Sequence, residues 1–317
     1  MGEFANRSIR FQNGISGQPV KVVSANPKNF VDALNAPDSL APVNIDGQLF
    51  LPDSPAPAPV VIVVPGSLGV APSHLSHAET LTTVGIAACV IDPFGARSVT
   101  STVANQAQYS FAASAWDVTA TAKMLATRED IDATRIGAQG HSRGGSAVMT
   151  AATRRFVMAT GAPALRGVYA AYPWCGQQFL DPDVGGTRVR AVIGDRDEWC
   201  LPQQVQAQIH AIQLAGGSAS LRIFGGAQHS FDRGTEVELI AEASVSPGAP
   251  TSYIDNSGAF IHPLTGEADA SLTDRDLMVY GMKAGYGRKG ARIGSQPGEA
   301  AAFSADMQAF WRDCLLG

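Results

Sequence analysis

The chain has 317 residues, 45% of them hydrophobic and only 16% charged, with 33 glycines, 19 prolines and a formal net charge of -5. Disordered chains need low hydrophobicity and high charge, and coiled coils or helical arrays carry few helix breakers, so both classes are excluded. No basic cluster exceeds the pair Arg154-Arg155, which argues against a nucleic-acid partner, and the most apolar strand-like run falls far short of the ~18 residues that cross a bilayer.

Met1-Gly2-Glu3-Phe4 lacks the charged start and apolar stretch of a leader and resembles a cloning remnant. The expectation is a soluble protein, cytoplasmic or exported with a leader removed. Residues 1–58 hold short polar-apolar stretches (20–23 and 48–51) that read as antiparallel strands, ending in the proline-rich run 52–59, since Pro cannot sit in a central ladder. From there strand patterns (60–64, 86–91, 135–139, 168–172, 189–193, 221–224) alternate with helix patterns (110–127, 142–156, 202–215, 299–315). That alternation predicts an α/β fold: one mostly parallel central sheet with helices on both faces and antiparallel N-terminal strands. Residues 232–298 show weak periodicity and read as a long irregular excursion, with a hairpin around Asn256-Ser257-Gly258. No linker or repeat divides the chain, so residues 1–317 are expected to form a single domain.

The chemistry concentrates at Gly140-His141-Ser142-Arg143-Gly144, a G-x-S-x-G motif placed directly after one strand pattern and before a helical one. This is the context of a nucleophile elbow, in which a sharp turn lifts the serine to the carboxyl edge of the sheet at a helix N-terminus. A serine nucleophile needs a base and a carboxylate that orients it, and in α/β-hydrolases these follow in the order Ser, acid, His, each on a loop after a later strand. Of six histidines only His229 sits just beyond the last strand. Asp195, Asp197 and Glu198 compete for the acid, and Asp197 is favoured because the loop has room to turn its carboxylate back. The oxyanion hole is expected from the N–H groups of Arg143 and, in Pro65-Gly66-Ser67-Leu68-Gly69, of Ser67.

Other motifs fall away. Gly66 to Gly69 is not followed by Gly-Lys-Ser/Thr, and Gly281, Gly285 and Gly287 follow no strand, so neither a phosphate loop nor a dinucleotide site is expected. His74 and His77 share a helix face and read as a surface pair, not a metal site. Tyr172, Trp174 and Trp199, at adjacent strand ends, are candidates for a pocket wall, with Phe94 nearby. Cys175 and Cys200 lie on loops that converge at the same edge, so a disulfide is expected in an exported protein and a thiol pair in a cytosolic one.

From Gly66 to Val70, Asp92 with Arg97, Ile136 through Gly145, Gly194 to Asp197, and His229-Ser230-Phe231, the chain resembles the dienelactone hydrolase family of α/β-hydrolases. The resemblance runs from about residue 60 to the terminal helix. It implies Ser142, Asp197 and His229 as a catalytic triad, Ser67 and Arg143 as oxyanion donors, Arg97 as a counterpart of a family arginine near the substrate carboxylate, and no metal or organic cofactor. Founding members use a Cys nucleophile and a Glu in the loop matching Gly66 to Gly69. With Ser here and no Glu, the implied activity is a serine esterase acting on a small-molecule ester or lactone. An acyltransferase or peptidase with the same triad, and an inactive binding protein, are the rival readings.

Overall fold

The computed structural model of the chain describes residues 4–53 and 57–317. Met1 to Glu3, and Ser54, Pro55 and Ala56 of the proline-rich run, lie outside the described residues. The strands are β1 (Gln18–Ala25), β2 (Pro42–Phe50), β3 (Ala58–Val64), β4 (Ala87–Asp92), β5 (Ile131–His141), β6 (Gly167–Ala171), β7 (Gln177–Phe179), β8 (Arg188–Gly194), β9 (Ala219–Phe224), β10 (Glu238–Val245), β11 (Ser252–Ile254), β12 (Phe260–Ile261), β13 (Ala268–Asp269) and β14 (Arg288–Ile293). The helices are α1 (Phe30–Asn35), α2 (Pro72–Thr83), α3 (Phe111–Ala126), α4 (Arg143–Ala151), α5 (Arg154–Thr160), α6 (Pro202–Leu214), α7 (Asp274–Lys283) and α8 (Glu299–Trp311).

Eight strands form the central sheet in the order β1-β2-β4-β3-β5-β6-β8-β9. β1, β2 and β4 pair antiparallel, and every later neighbour pairs parallel. The expected mostly parallel sheet with antiparallel N-terminal strands is therefore present. Its centre is the driest part of the molecule: all seven residues of β3 are buried, as β-branched strands covered on both faces should be. α2 packs with α8, and α3 with α4, as separate layers against the sheet.

Three local expectations are corrected. The helix expected over 142–156 is divided into α4 and α5, because Thr153 takes extended backbone and its Oγ1 caps the second segment at Phe156 N. The terminal helix ends at Trp311 and continues as a π turn, Arg312–Leu316. Residues 232–298 are not structureless: β10 and β14 form a two-stranded ribbon, β13-β12-β11-β7 a small sheet, and α7 lies between. The hairpin around residues 256–258 is there, with Ile254 opposite Phe260.

Candidate active site

Ser142 occupies the turn between β5 and α4 with φ 55° and ψ −114°. For a residue with a Cβ this conformation costs on the order of 1–3 kcal/mol, and it persists only where the surroundings enforce it. They do so through glycines. A Cβ on Gly140 would stand 2.0 Å from the Gly144 carbonyl oxygen, and one on Gly144 would stand 2.4 Å from that of Val64. Strand, turn and helix can close this tightly only when both positions are bare.

Two loops bring partners to the serine. β9 leads into the turn carrying His229, and β8 into the turn carrying Asp197; β8 and β9 are neighbours, so the side chains converge. His229 Nε2 lies 3.0 Å from Ser142 Oγ, and His229 Nδ1 lies 2.7 Å from Asp197 Oδ2. All three residues are buried. The other Asp197 oxygen accepts the backbone N–H groups of Trp199 (2.8 Å) and Cys200 (2.9 Å), which fixes the carboxylate plane. Asp195, the competing acid, turns away and accepts Gly226 N–H at 2.7 Å, bracing one loop against the other. Glu198 pairs with Arg292 at 3.0 Å. The Ser67 and Arg143 N–H groups have no partner among the described residues.

A cavity opens over Ser142 and His229. Of the pocket residues expected from sequence, two line it: Trp199 stacks on His229 (5.2 Å between ring centres) and Tyr172 meets it edge-on (4.7 Å). The other three do not. Arg97 is held away by a bidentate pair with Asp117 (2.8 and 2.9 Å) and by the carbonyl of Pro93. Trp174 stacks on Phe111 in a separate crevice, and Phe94 packs beside Gly69 behind the loop. Side-chain direction at a strand end depends on the neighbouring loops, which sequence spacing does not reveal.

Among the lining residues that sequence reading missed, three stand out. Ile293 arrives from β14, where it bridges His229, and no local signal marks it. Val103 is anchored through its carbonyl by Ser244 of the ribbon (2.9 Å). Arg233 is the one Lys, Arg, Asp or Glu side chain at the cavity, and its guanidinium has no hydrogen bond or ion pair among the described residues. It follows His229 by four residues, so extending the base-loop argument would have found it.

His74 and His77 are not the expected surface pair: both are buried, and they belong to a polar cluster beside the cavity. Its hydrogens run in one direction. Trp311 Nε1 donates to Gln139 (2.9 Å), Gln139 to His141 Nε2 (3.1 Å), His141 Nδ1 to the Tyr172 hydroxyl (2.9 Å), and that hydroxyl to Asp232 (2.7 Å). Asp232 also accepts from His77 Nε2 at 2.7 Å. Burial alone would push its carboxyl up, but the hydrogen bonds from His77 and the Tyr172 hydroxyl hold it below the usual range. Burial lowers His74 to about 3 and keeps His141 well below its ordinary value, so both are neutral.

Cys175 and Cys200 are both buried free thiols, so the bridge expected for an exported protein is not formed. Burial, and for Cys200 the Asp197 carboxylate, push both thiols up. Two sets of donor atoms lie within 4.8 Å of one another, His77/His141/Asp232 and Asp197/Cys200/His229. In the first set, and for Asp197 and His229 in the second, those atoms are already engaged by the hydrogen bonds above. No helix among the described residues is long and apolar enough to cross a membrane.

The dienelactone hydrolase family model matches residues 45–248, a span that contains Ser142, Asp197 and His229. No curated protein sequence matches the chain. Among solved structures, one titled m3DLH superposes with a TM-score of 0.57 at 15% identity, over 94% of this chain and 99% of that one. A candidate dienelactone hydrolase of Klebsiella pneumoniae gives 0.51 at 17% identity, over 68% and 89%, and an esterase of Pyrobaculum calidifontis gives 0.52 at 14%, over 73% and 81%. At such identities these likenesses speak for the fold. The family match spans more than half of the 317 residues, so the chain belongs to the dienelactone hydrolase family and, with it, to the hydrolases of the α/β-hydrolase fold.

Proposed function

We propose that the chain is a serine esterase that cleaves a carboxylic ester or lactone through an acyl-enzyme on Ser142. The observation that carries this reading is the hydrogen-bonded line from Ser142 Oγ through His229 to Asp197, at 3.0 and 2.7 Å, set on a strained elbow. The Asp197 carboxylate accepts from Nδ1–H, which leaves the Nε2 lone pair facing the serine hydroxyl. His229 takes the Ser142 proton as Oγ attacks the carbonyl carbon, and Asp197 stabilises the resulting imidazolium. The tetrahedral oxyanion meets the Ser67 and Arg143 N–H groups, the latter also at the positive end of α4. Collapse passes the proton from His229 to the departing alkoxide. Water, deprotonated by His229, then attacks the acyl carbonyl and frees Ser142.

The unpaired Arg233 guanidinium at the cavity favours a substrate carrying an anionic group. A fluorophosphonate probe tests the nucleophile. Wild type is expected to label stoichiometrically and to hydrolyse p-nitrophenyl acetate, and Ser142→Ala to do neither. Equal labelling of both proteins removes the serine-hydrolase reading.

A further inference from the structure

We propose that Gln106 is a positioning residue for the oxyanion hole, its side chain locking Ser67 and Arg143 into one unit. The inference rests on the reading of Ser142 as nucleophile. The two N–H donors come from unrelated parts of the chain, Ser67 from the loop after β3 and Arg143 from the first residue of α4. Preorganised donors stabilise an oxyanion only while their spacing and aim are held to a fraction of an ångström. Backbone pairing does not tie these two positions directly, so another connection has to.

Gln106 supplies it. Its Nε2 donates to Ser67 Oγ at 3.0 Å. Its backbone carbonyl accepts from Arg143 Nη1 at 2.9 Å, and its Oε1 faces the same nitrogen at 3.4 Å. Arginine only donates, and Thr102 Oγ1 also approaches Oε1 at 3.2 Å. Those two contacts set Oε1 on the Arg143 side, and Ser67 Oγ lies within reach of both amide atoms, 3.0 Å from Nε2 and 3.1 Å from Oε1.

Both ends of the connection are firm. The buried Arg143 guanidinium donates to Ser114 Oγ (3.1 Å) and to the Tyr109 carbonyl (2.6 Å), and it lies over the rings of Tyr109 (4.3 Å) and Phe111 (4.1 Å). The Ser67 carbonyl accepts from Thr102 N–H at 2.8 Å and from Ser101 Oγ at 3.2 Å. The segment from Ser101 to Tyr109 thus grips the residue of each donor, and Gln106 is where the two grips meet. An arginine directly after the nucleophile has a purpose beyond its N–H: its side chain reports the position of the helix start to the opposite loop.

Gln106→Leu keeps the bulk and removes the amide. The expected result is a folded protein with kcat down about tenfold, a part of the hundredfold or more lost with a whole donor, and KM within about twofold. The inhibition constant of a trifluoromethyl ketone, which presents an oxyanion once bound to Ser142, rises by the same factor. Gln106→Glu keeps an oxygen for Arg143 and Thr102 and accepts the Ser67 hydroxyl, so it recovers to within about threefold of wild type. Ser67→Ala retains the N–H but removes the gripped hydroxyl. It should reproduce the Gln106→Leu loss, and the double variant should fall no further. An unchanged kcat in Ser67→Ala, additive losses in the double variant, or a fall in kcat without weaker ketone binding would each overturn the assignment. End-point fluorophosphonate labelling of Ser142 is retained in all of these variants, and its absence in the wild type instead removes the nucleophile reading.

Discussion

Replacing Asp197 by Asn reverses one hydrogen-bond direction while leaving the shape of the site almost intact. Asp197 Oδ1 receives two backbone N–H groups, from Trp199 and Cys200. Turning the amide nitrogen toward them would leave two buried donors facing a third, at about 1–3 kcal/mol for each unsatisfied group. The asparagine oxygen therefore stays with the backbone, and its nitrogen takes the place of Oδ2, 2.7 Å from His229 Nδ1. An amide nitrogen only donates, so His229 must present a lone pair at Nδ1 and carry its proton on Nε2. That proton points at Ser142 Oγ, 3.0 Å away, where an acceptor is needed. A base held in the wrong tautomer costs roughly 10⁴ in kcat, or about 5.5 kcal/mol. Steady-state hydrolysis of p-nitrophenyl acetate measures it, with Asp195→Asn as the comparison. That variant keeps the acceptor for Gly226 N–H and should stay within about threefold of wild type. Activity of Asp197→Asn within tenfold of wild type, or an equal collapse in Asp195→Asn, would refute the reasoning.

Two further outcomes follow from burial. Arg97→Met removes one partner of a buried pair whose side chains are 4% and 1% exposed, leaving the Asp117 charge uncompensated; a loss of about 3–5 kcal/mol is expected in urea unfolding, with KM for ester substrates unchanged. A raised KM without loss of stability would return Arg97 to the substrate site. His74 concerns acid stability: folded, it takes its proton only at about 3, whereas unfolded it does so near 6.5. Stability it leaves intact above pH 6.5 is lost as pH falls through that window, by about 2 kcal/mol at pH 5. His74→Asn, which retains an acceptor for Ala71 N–H, should lose about 2 kcal/mol less between pH 7 and pH 5; an identical loss in the two proteins would dismiss His74 as a source of acid lability.

The sheet was legible because its inner strands are short, apolar and regularly interleaved with helical runs, and the glycines at 140 and 144 carry a local steric message. Ser142 and His229 stand out for the same reason: each follows a recognisable strand in a short turn. Choosing between Asp195 and Asp197 was harder, since a difference of two residues decides which carboxylate faces inward, and the deciding donors are backbone groups of the loop itself. Arg97, Phe94 and Trp174 mark the limit of spacing arguments, because each lies at a strand end that fits a pocket while its side chain packs elsewhere. His74 and His77 misled in another way. Polar residues on a helix read as a solvated face, yet here the opposing surface supplies Asp232 and Tyr172. The ribbon was illegible because β10 and β14 are separated by more than forty residues, and the intervening strands are only two or three residues long.

That ribbon makes the assembly of the site a late event in the life of the chain. Ile293 bridges His229, Gly294 N–H bonds to the His229 carbonyl at 2.9 Å, and the Trp199 indole bonds to the Arg292 carbonyl at 2.8 Å. The loops bearing base and acid are thus fastened by residues some sixty positions beyond the base. A growing polypeptide that has already emerged past Ser142, Asp197 and His229 holds every reacting group, but not the clasp that aligns them. Closing so long a loop costs entropy before any contact repays it. If Ser142, His229 and Asp197 act as proposed, hydrolytic competence waits on this last clasp, which chains ending before β14 lack.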